Sequence, residues 1–128
     1  MSDTPAKPKI LIMDDDEDVR FIAEFMLQRL GFAVVLTASG AEAIERYKEV
    51  LHEGGRFHAV ILDINIPGSM GGREVVSQLK IIDPQVTAFI SSGNPLDPAM
   101  ESPTSFGFVG AIAKPFLVEN LRVLLPAG

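Results

Sequence analysis

The sequence predicts an α/β fold: a five-stranded parallel sheet, doubly wound, with helices on both faces. Three observations lead there. Five short, nearly continuous apolar runs lie between residues 9 and 113, as in strands buried on both faces. Most of the segments between them carry apolar residues at helical spacing. Gly, Pro or a capping residue bounds these segments, so strand and helix alternate along the chain. Alternation of this kind belongs to parallel strands joined by crossovers.

Residues 1–8 carry two prolines and little that is apolar, and read as a flexible tail. Residues 9–125 read as one domain, and 126–128 as a short tail. The first strand, Lys9–Met13, is apolar until it runs into acids. From 17 to 30, Val19, Ile22, Met26 and Leu30 recur at helical spacing, and Gly31 is the stop signal. Asp16, Glu17 and Asp18 read as a solvated helix start, because acids favour helix N-termini. Ala33–Thr37 is the second strand. Ser39 caps a helix whose inner face carries Ala43, Ile44, Tyr47 and Leu51, and Gly54-Gly55 closes it. Residues 58–62 form the third strand, and 67–72 a glycine-rich loop. Residues 74–82 read as helix, with Val75, Val76 and Leu79 inward and Pro84 past its end. Strands at 86–90 and 108–113 and a helix at 117–125 complete the order. Between them, 94–107 holds Pro95, Pro98 and Pro103 with little periodicity, so a fourth helix is short or irregular. Phe21, Phe25 and Phe32 read as core or helix-packing aromatics. His52 and His58 read as surface or packing residues, and Arg56 and Arg73 as solvated.

Composition narrows the function. At 128 residues and 47% hydrophobic, the chain can bury a real core. Eleven basic against 17 acidic residues leave a net charge of −6, which argues against a general nucleic-acid binder. The longest apolar runs fall far short of the roughly 18 residues of a membrane span. The polar start shows no signal peptide, and a cytoplasmic address is compatible with these features. The absence of Cys removes disulfides, Cys-based zinc sites and thiol catalysis.

In such sheets, ligands sit beyond the carboxyl ends of the strands, near a topological switch point. At those ends stand Asp14 and Asp15, then Asp63, then Ser91 and Ser92, then Lys114 followed by Pro115. One crevice would thus gather three carboxylates, hydroxyls and an ammonium. Carboxylates crowded together raise each other's pKa unless a cation relieves them. A hard divalent ion is the natural relief, and Mg²⁺ suits a site with few protein ligands and several retained waters.

The set IMDDD, VILDINIP, FISSG and AKPF, in this order and spacing, resembles the receiver domain of two-component response regulators. The likeness spans about residues 9–125. The loop IPGSMGG with SSGN and GFVGAIAKPF is similar to receivers at the carboxyl ends of hybrid sensor histidine kinases. The resemblance implies a flavodoxin-like (βα)5 fold and a phosphorelay function, in which Asp63 accepts a phosphoryl group. The donor it implies is a histidine kinase or a histidine phosphotransfer protein. It further implies Mg²⁺ on Asp15, Asp63 and the Asn65 backbone carbonyl, with Asp14 assisting through water. Ser91, with Ser92 beside it, and Lys114 would contact the phosphoryl oxygens, and the bond before Pro115 would be cis. A homodimer stays open, whereas contact with nucleic acid or membrane is not expected.

Elementary chemistry agrees with that assignment. Aspartate is a nucleophile at neutral pH without a base, and phosphoryl transfer needs mainly positioning and charge neutralisation. Ala111 stands three residues before Lys114, where many receivers carry the aromatic ring of a rotameric switch. Two other classes compete. A haloacid-dehalogenase-like phosphatase also uses a strand-end Asp with Mg²⁺, Ser/Thr and Lys, but wants D-x-D where this chain has Asp63-Ile64-Asn65. A degenerate receiver acting as a docking module would lack the acceptor, an acid or the lysine, and all are here.

Overall fold

The computed structural model describes residues 7–126; residues 1–6 and 127–128, and with them most of the two expected tails, lie outside the described residues. The elements are β1 Lys9–Met13, α1 Glu17–Arg29, β2 Ala33–Thr37, α2 Gly40–His52, β3 Ala59–Asp63 and α3 Gly72–Ile82. There follow β4 Ala88–Ser92, α4 Pro98–Glu101, a 3-10 turn Pro103–Phe106, β5 Gly110–Ala113 and α5 Val118–Leu124. All pairings are parallel, and the order is β2-β1-β3-β4-β5. The chain reverses its direction of travel across the sheet between β1 and β3. That is the switch point, and Asp14, Asp15 and Asp63 stand at its carboxyl edge.

Strand residues alternate between two cores because successive side chains point to opposite faces. Leu11, Met13, Val60, Leu62 and Ile90 pack with Ala43, Tyr47, Val75, Val76 and Leu79 of α2 and α3. Ile10, Ile12, Ala59 and Ile61 pack on the other side with Ala23 and Leu27 of α1 and Leu121 of α5. Burial on both faces is what made these strands read as unbroken apolar runs.

The structure differs from the expected pattern in several places. In α1 the buried residues are Ala23 and Leu27; Val19, Met26 and Leu30 flank them, and Ile22 is exposed. The expected stripe shares the helical period but is centred off the true one. The helix carries surplus apolar residues, so periodicity alone leaves its rotation loose. Phe32 is buried as expected, but Phe21 and Phe25 are exposed, at 68% and 57%. Strand β4 starts at Ala88 and ends at Ser92, so both serines belong to the strand. Val86 instead closes a turn, its N–H donating to the Asp83 carbonyl at 3.0 Å. The fourth helix is short, as expected: Pro98 opens it after the Asp97 cap, and Pro103 opens the 3-10 turn.

Candidate functional site

The carboxyl edge of the sheet carries the crevice. Asp14 follows β1, and its N–H donates to the Thr37 carbonyl at 3.1 Å. Its Oδ1 accepts from the Asp16 N–H at 2.9 Å, and Arg20 Nη1 donates to its carbonyl at 2.8 Å. Asp16 caps α1 through the Asp18 and Val19 N–H groups, so the acidic run divides between a cap and a site. Asp63 ends β3, and in the parallel register it pairs with Ser91 of β4.

Asp14, Asp15 and Asp63 each offer a carboxylate oxygen, and the three lie within 4.8 Å of one another. Asp14 and Asp63 are buried and Asp15 is exposed. Lys114 Nζ lies 2.6 Å from Asp14 Oδ2 and 3.3 Å from Asp63 Oδ2, and the Lys114–Pro115 peptide is cis. The oxygen-only donor set fits a hard divalent ion, and the exposure of Asp15 leaves room for retained waters.

Burial makes the charged form of Asp63 costly and holds its carboxyl above the ordinary carboxylate value; Lys114 works against that shift and Asp14 adds to it. Burial alone would lower Lys114. Its hydrogen bond to Asp14 and the charge of Asp63 outweigh that and hold its ammonium above the usual lysine value.

The two serines differ. Ser91 Oγ is buried and has no hydrogen-bond partner among the described residues. Ser92 Oγ instead accepts from the Asn94 N–H at 3.0 Å, which turns the chain out of β4. Strand alternation sends the two side chains to opposite faces, and Ser91 is the one in register with Asp63. Asn65 stands exposed just past β3, and its N–H reaches Asp63 Oδ1 at 3.4 Å.

Sequence reasoning missed two residues here. A Cβ on Gly72 would lie 2.9 Å from the Asp63 carbonyl oxygen, and one on Gly71 2.2 Å from that of Ile64. Both therefore let α3 press against the end of β3 and hold the Asp63 backbone in place. Adjacent glycines eight and nine positions after an acid at a strand end were the available signal. Arg56 is exposed as expected but also ion-paired to Asp83 at 2.5 Å, and Arg73, expected to be solvated, is half-buried and ion-paired to Asp97 at 2.9 Å. His58 packs on Phe32 with ring centroids 5.5 Å apart, and His52 is exposed.

The family model for the response regulator receiver domain matches residues 10–125. The chain belongs to that family. Among curated relatives, the receiver is 30% identical over 115 residues to sporulation initiation phosphotransferase F of Bacillus subtilis, covering 89% of this chain and 87% of that protein. It is 27% identical over 119 residues to transcription factor SKN7 of Chaetomium thermophilum, covering 93% of this chain but only 15% of the factor. Among solved structures, it matches the receiver domain of sensor histidine kinase PA1611 from Pseudomonas aeruginosa PAO1. That match has a TM-score of 0.79 at 25% identity and covers 94% and 95% of the two chains; the PA1611 receiver holds a magnesium ion in its active-site cleft. Membership of the receiver family removes the phosphatase reading. Among the described residues no helix is long and apolar enough to cross a membrane.

Proposed function

We propose that this receiver takes a phosphoryl group onto Asp63 from a phosphohistidine on a histidine kinase or a histidine phosphotransfer protein. An Asp63 carboxylate oxygen attacks phosphorus, the P–N bond breaks, and its electron pair stays on the imidazole nitrogen. Asp15, Asp63 and the Asn65 carbonyl would hold Mg²⁺, with Asp14 assisting through water, and the ion would supply positive charge against the phosphoryl oxygens. Lys114 neutralises a further oxygen, and the unpartnered Ser91 hydroxyl donates to another.

One observation carries this reading: Lys114 Nζ bridges Asp14 and Asp63 at 2.6 and 3.3 Å while Ser91 sits in register with Asp63. The nucleophile, its charge partner and a spare donor thus converge before any phosphoryl group arrives. Yeast Ypd1 in complex with the Ssk1 receiver is a phosphotransfer protein on the same fold, with a TM-score of 0.78, and supports a partner of this kind. A cytoplasmic setting goes with such a donor. The test is labelling by acetyl phosphate with Mg²⁺. Label is expected on wild type, absent from Asp63→Asn, and removable by hydroxylamine as an acyl phosphate is. Full labelling of Asp63→Asn would falsify the assignment.

A further inference from the structure

The stretch between β4 and β5 is short of regular structure, and one guanidinium holds both of its ends. Helix α4 has four residues, too few to stand on its own hydrogen bonds. Arg73 Nη2 donates to Asp97 Oδ1 at 2.9 Å, the same oxygen that caps α4 by accepting from the Ala99 N–H. The Arg73 guanidinium also lies 4.7 Å from the Phe106 ring centroid, at the far end of the 3-10 turn. Further along α3, Lys80 and Val76 pack at Gly107, where an added Cβ would meet Lys80 Cε at 3.1 Å. Arg73, Val76 and Lys80 share one helix face, so α3 is the platform for the whole stretch.

Both sides of the Arg73 contact lead back to the acceptor. Residue 73 follows the two glycines that wedge α3 against the carbonyls of Asp63 and Ile64. On the other side, Ser92 Oγ accepts from the Asn94 N–H, Asn94 Oδ1 accepts from the Leu96 N–H, and the Asp97 N–H donates to the Asn94 carbonyl. A turn-by-turn chain of short contacts thus joins the end of β4 to Asp97. Ser91, at that strand end, has no partner among the described residues and would donate to a phosphoryl group on Asp63. Arg73 Nε is buried and also has no partner among the described residues.

We infer that Arg73 is a strap: it holds residues 97–106 in the unphosphorylated arrangement, and phosphorylation of Asp63 re-seats it. The inference rests on the reading of Asp63 as acceptor. Arg73 acts as a positioning residue and touches none of the reacting atoms.

The test is amide hydrogen exchange on the full chain, with and without beryllofluoride and Mg²⁺, for wild type, Arg73→Gln and Asp97→Asn. Asn caps a helix as well as Asp does, so the second variant removes the ion pair and keeps the cap. In wild type, beryllofluoride is expected to change exchange across 93–107. Without beryllofluoride, both variants are expected to exchange about tenfold faster in that stretch. With it they match wild type, and by reciprocity they bind beryllofluoride about fivefold tighter. A merely structural contact would raise exchange equally in both states and leave the affinity alone, which overturns the strap. Unchanged exchange in both variants overturns it too. A wild type that ignores beryllofluoride overturns the acceptor reading and the strap together, whereas a responsive wild type with indifferent variants sinks the strap alone.

Discussion

Asp63 carries a charge that its surroundings disfavour. Burial outweighs the Lys114 contact and keeps its carboxyl above the ordinary range. The folded state therefore binds that proton more tightly than the unfolded chain does, and above the folded value the ionised group works against folding. Asp63→Asn is expected to be more stable than wild type at pH 7 without metal, and the gain should shrink as pH falls toward the carboxylate range. Urea unfolding at pH 7 and pH 4.5 measures both; equal stability at pH 7 would contradict the burial argument. Mg²⁺ beside Asp63 would relieve this cost, so in the proposed function the cost and the metal requirement share one origin. Asp83 is the opposite case. It is buried, which alone would raise its carboxyl, but hydrogen bonds from Tyr47, the Gln85 N–H and Arg56 hold it below the usual value. Its stabilisation is present above the unfolded value and is lost as pH falls through the folded one. Asp83→Ala strands the Tyr47 hydroxyl, which donates at 2.7 Å in a buried setting, and should cost about 1–3 kcal/mol at neutral pH. Denaturant midpoints read that loss.

At the scale of elements, the packing of α3 on β3 sets the position of Asp63, the proposed acceptor. The glycine pair that opens α3 is required by space and not by dihedral angle, since φ at Gly71 is an ordinary −87°. Gly72→Ala brings a methyl group against Ile90 Cδ1 at 2.8 Å and the Asp63 carbonyl at 2.9 Å. Either α3 lifts or the end of β3 moves. The expected cost is about 1–3 kcal/mol of stability, together with a slower rate of labelling by acetyl phosphate. Gly31→Ala is the control: its φ of +97° makes that change costly as well, yet it lies far from the site. Labelling per folded molecule should fall in the first variant and hold in the second.

For the whole molecule, metal binding and folding are linked. An ion that binds only the folded chain adds about 2.7 kcal/mol when present at a hundred times its dissociation constant. Raising Mg²⁺ should therefore raise the thermal midpoint of wild type. Asp15→Asn, which keeps the exposed side chain's shape, should flatten that response. A full Mg²⁺ response in Asp15→Asn would remove Asp15 from the ligand set. The doubly wound sheet makes this linkage possible, because Asp14, Asp15 and Asp63 come from two strands that are neighbours only across the switch point.

The sequence by itself determined the order of the elements, the burial of the three central strands and the residues at the strands' carboxyl ends. Those properties are local: an apolar run bounded by acids reads the same whatever packs on it. It also determined that the fourth helix would be weak, because three prolines interrupt 94–107. Only the tertiary structure decided which of two adjacent serines stands in register with Asp63, since strand alternation needs the true register of β4 on β3. The same holds for the rotation of α1, where Phe21, Ile22 and Phe25 compete with Ala23 and Leu27 and packing volume settles the matter. The partners of Arg56 and Arg73 lie 27 and 24 residues away along the chain, so a reading along the sequence sees only solvated charges. The close approach of Gly71 and Gly72 to β3 has the same reason: it is a distance between two elements, and no single stretch of chain contains it.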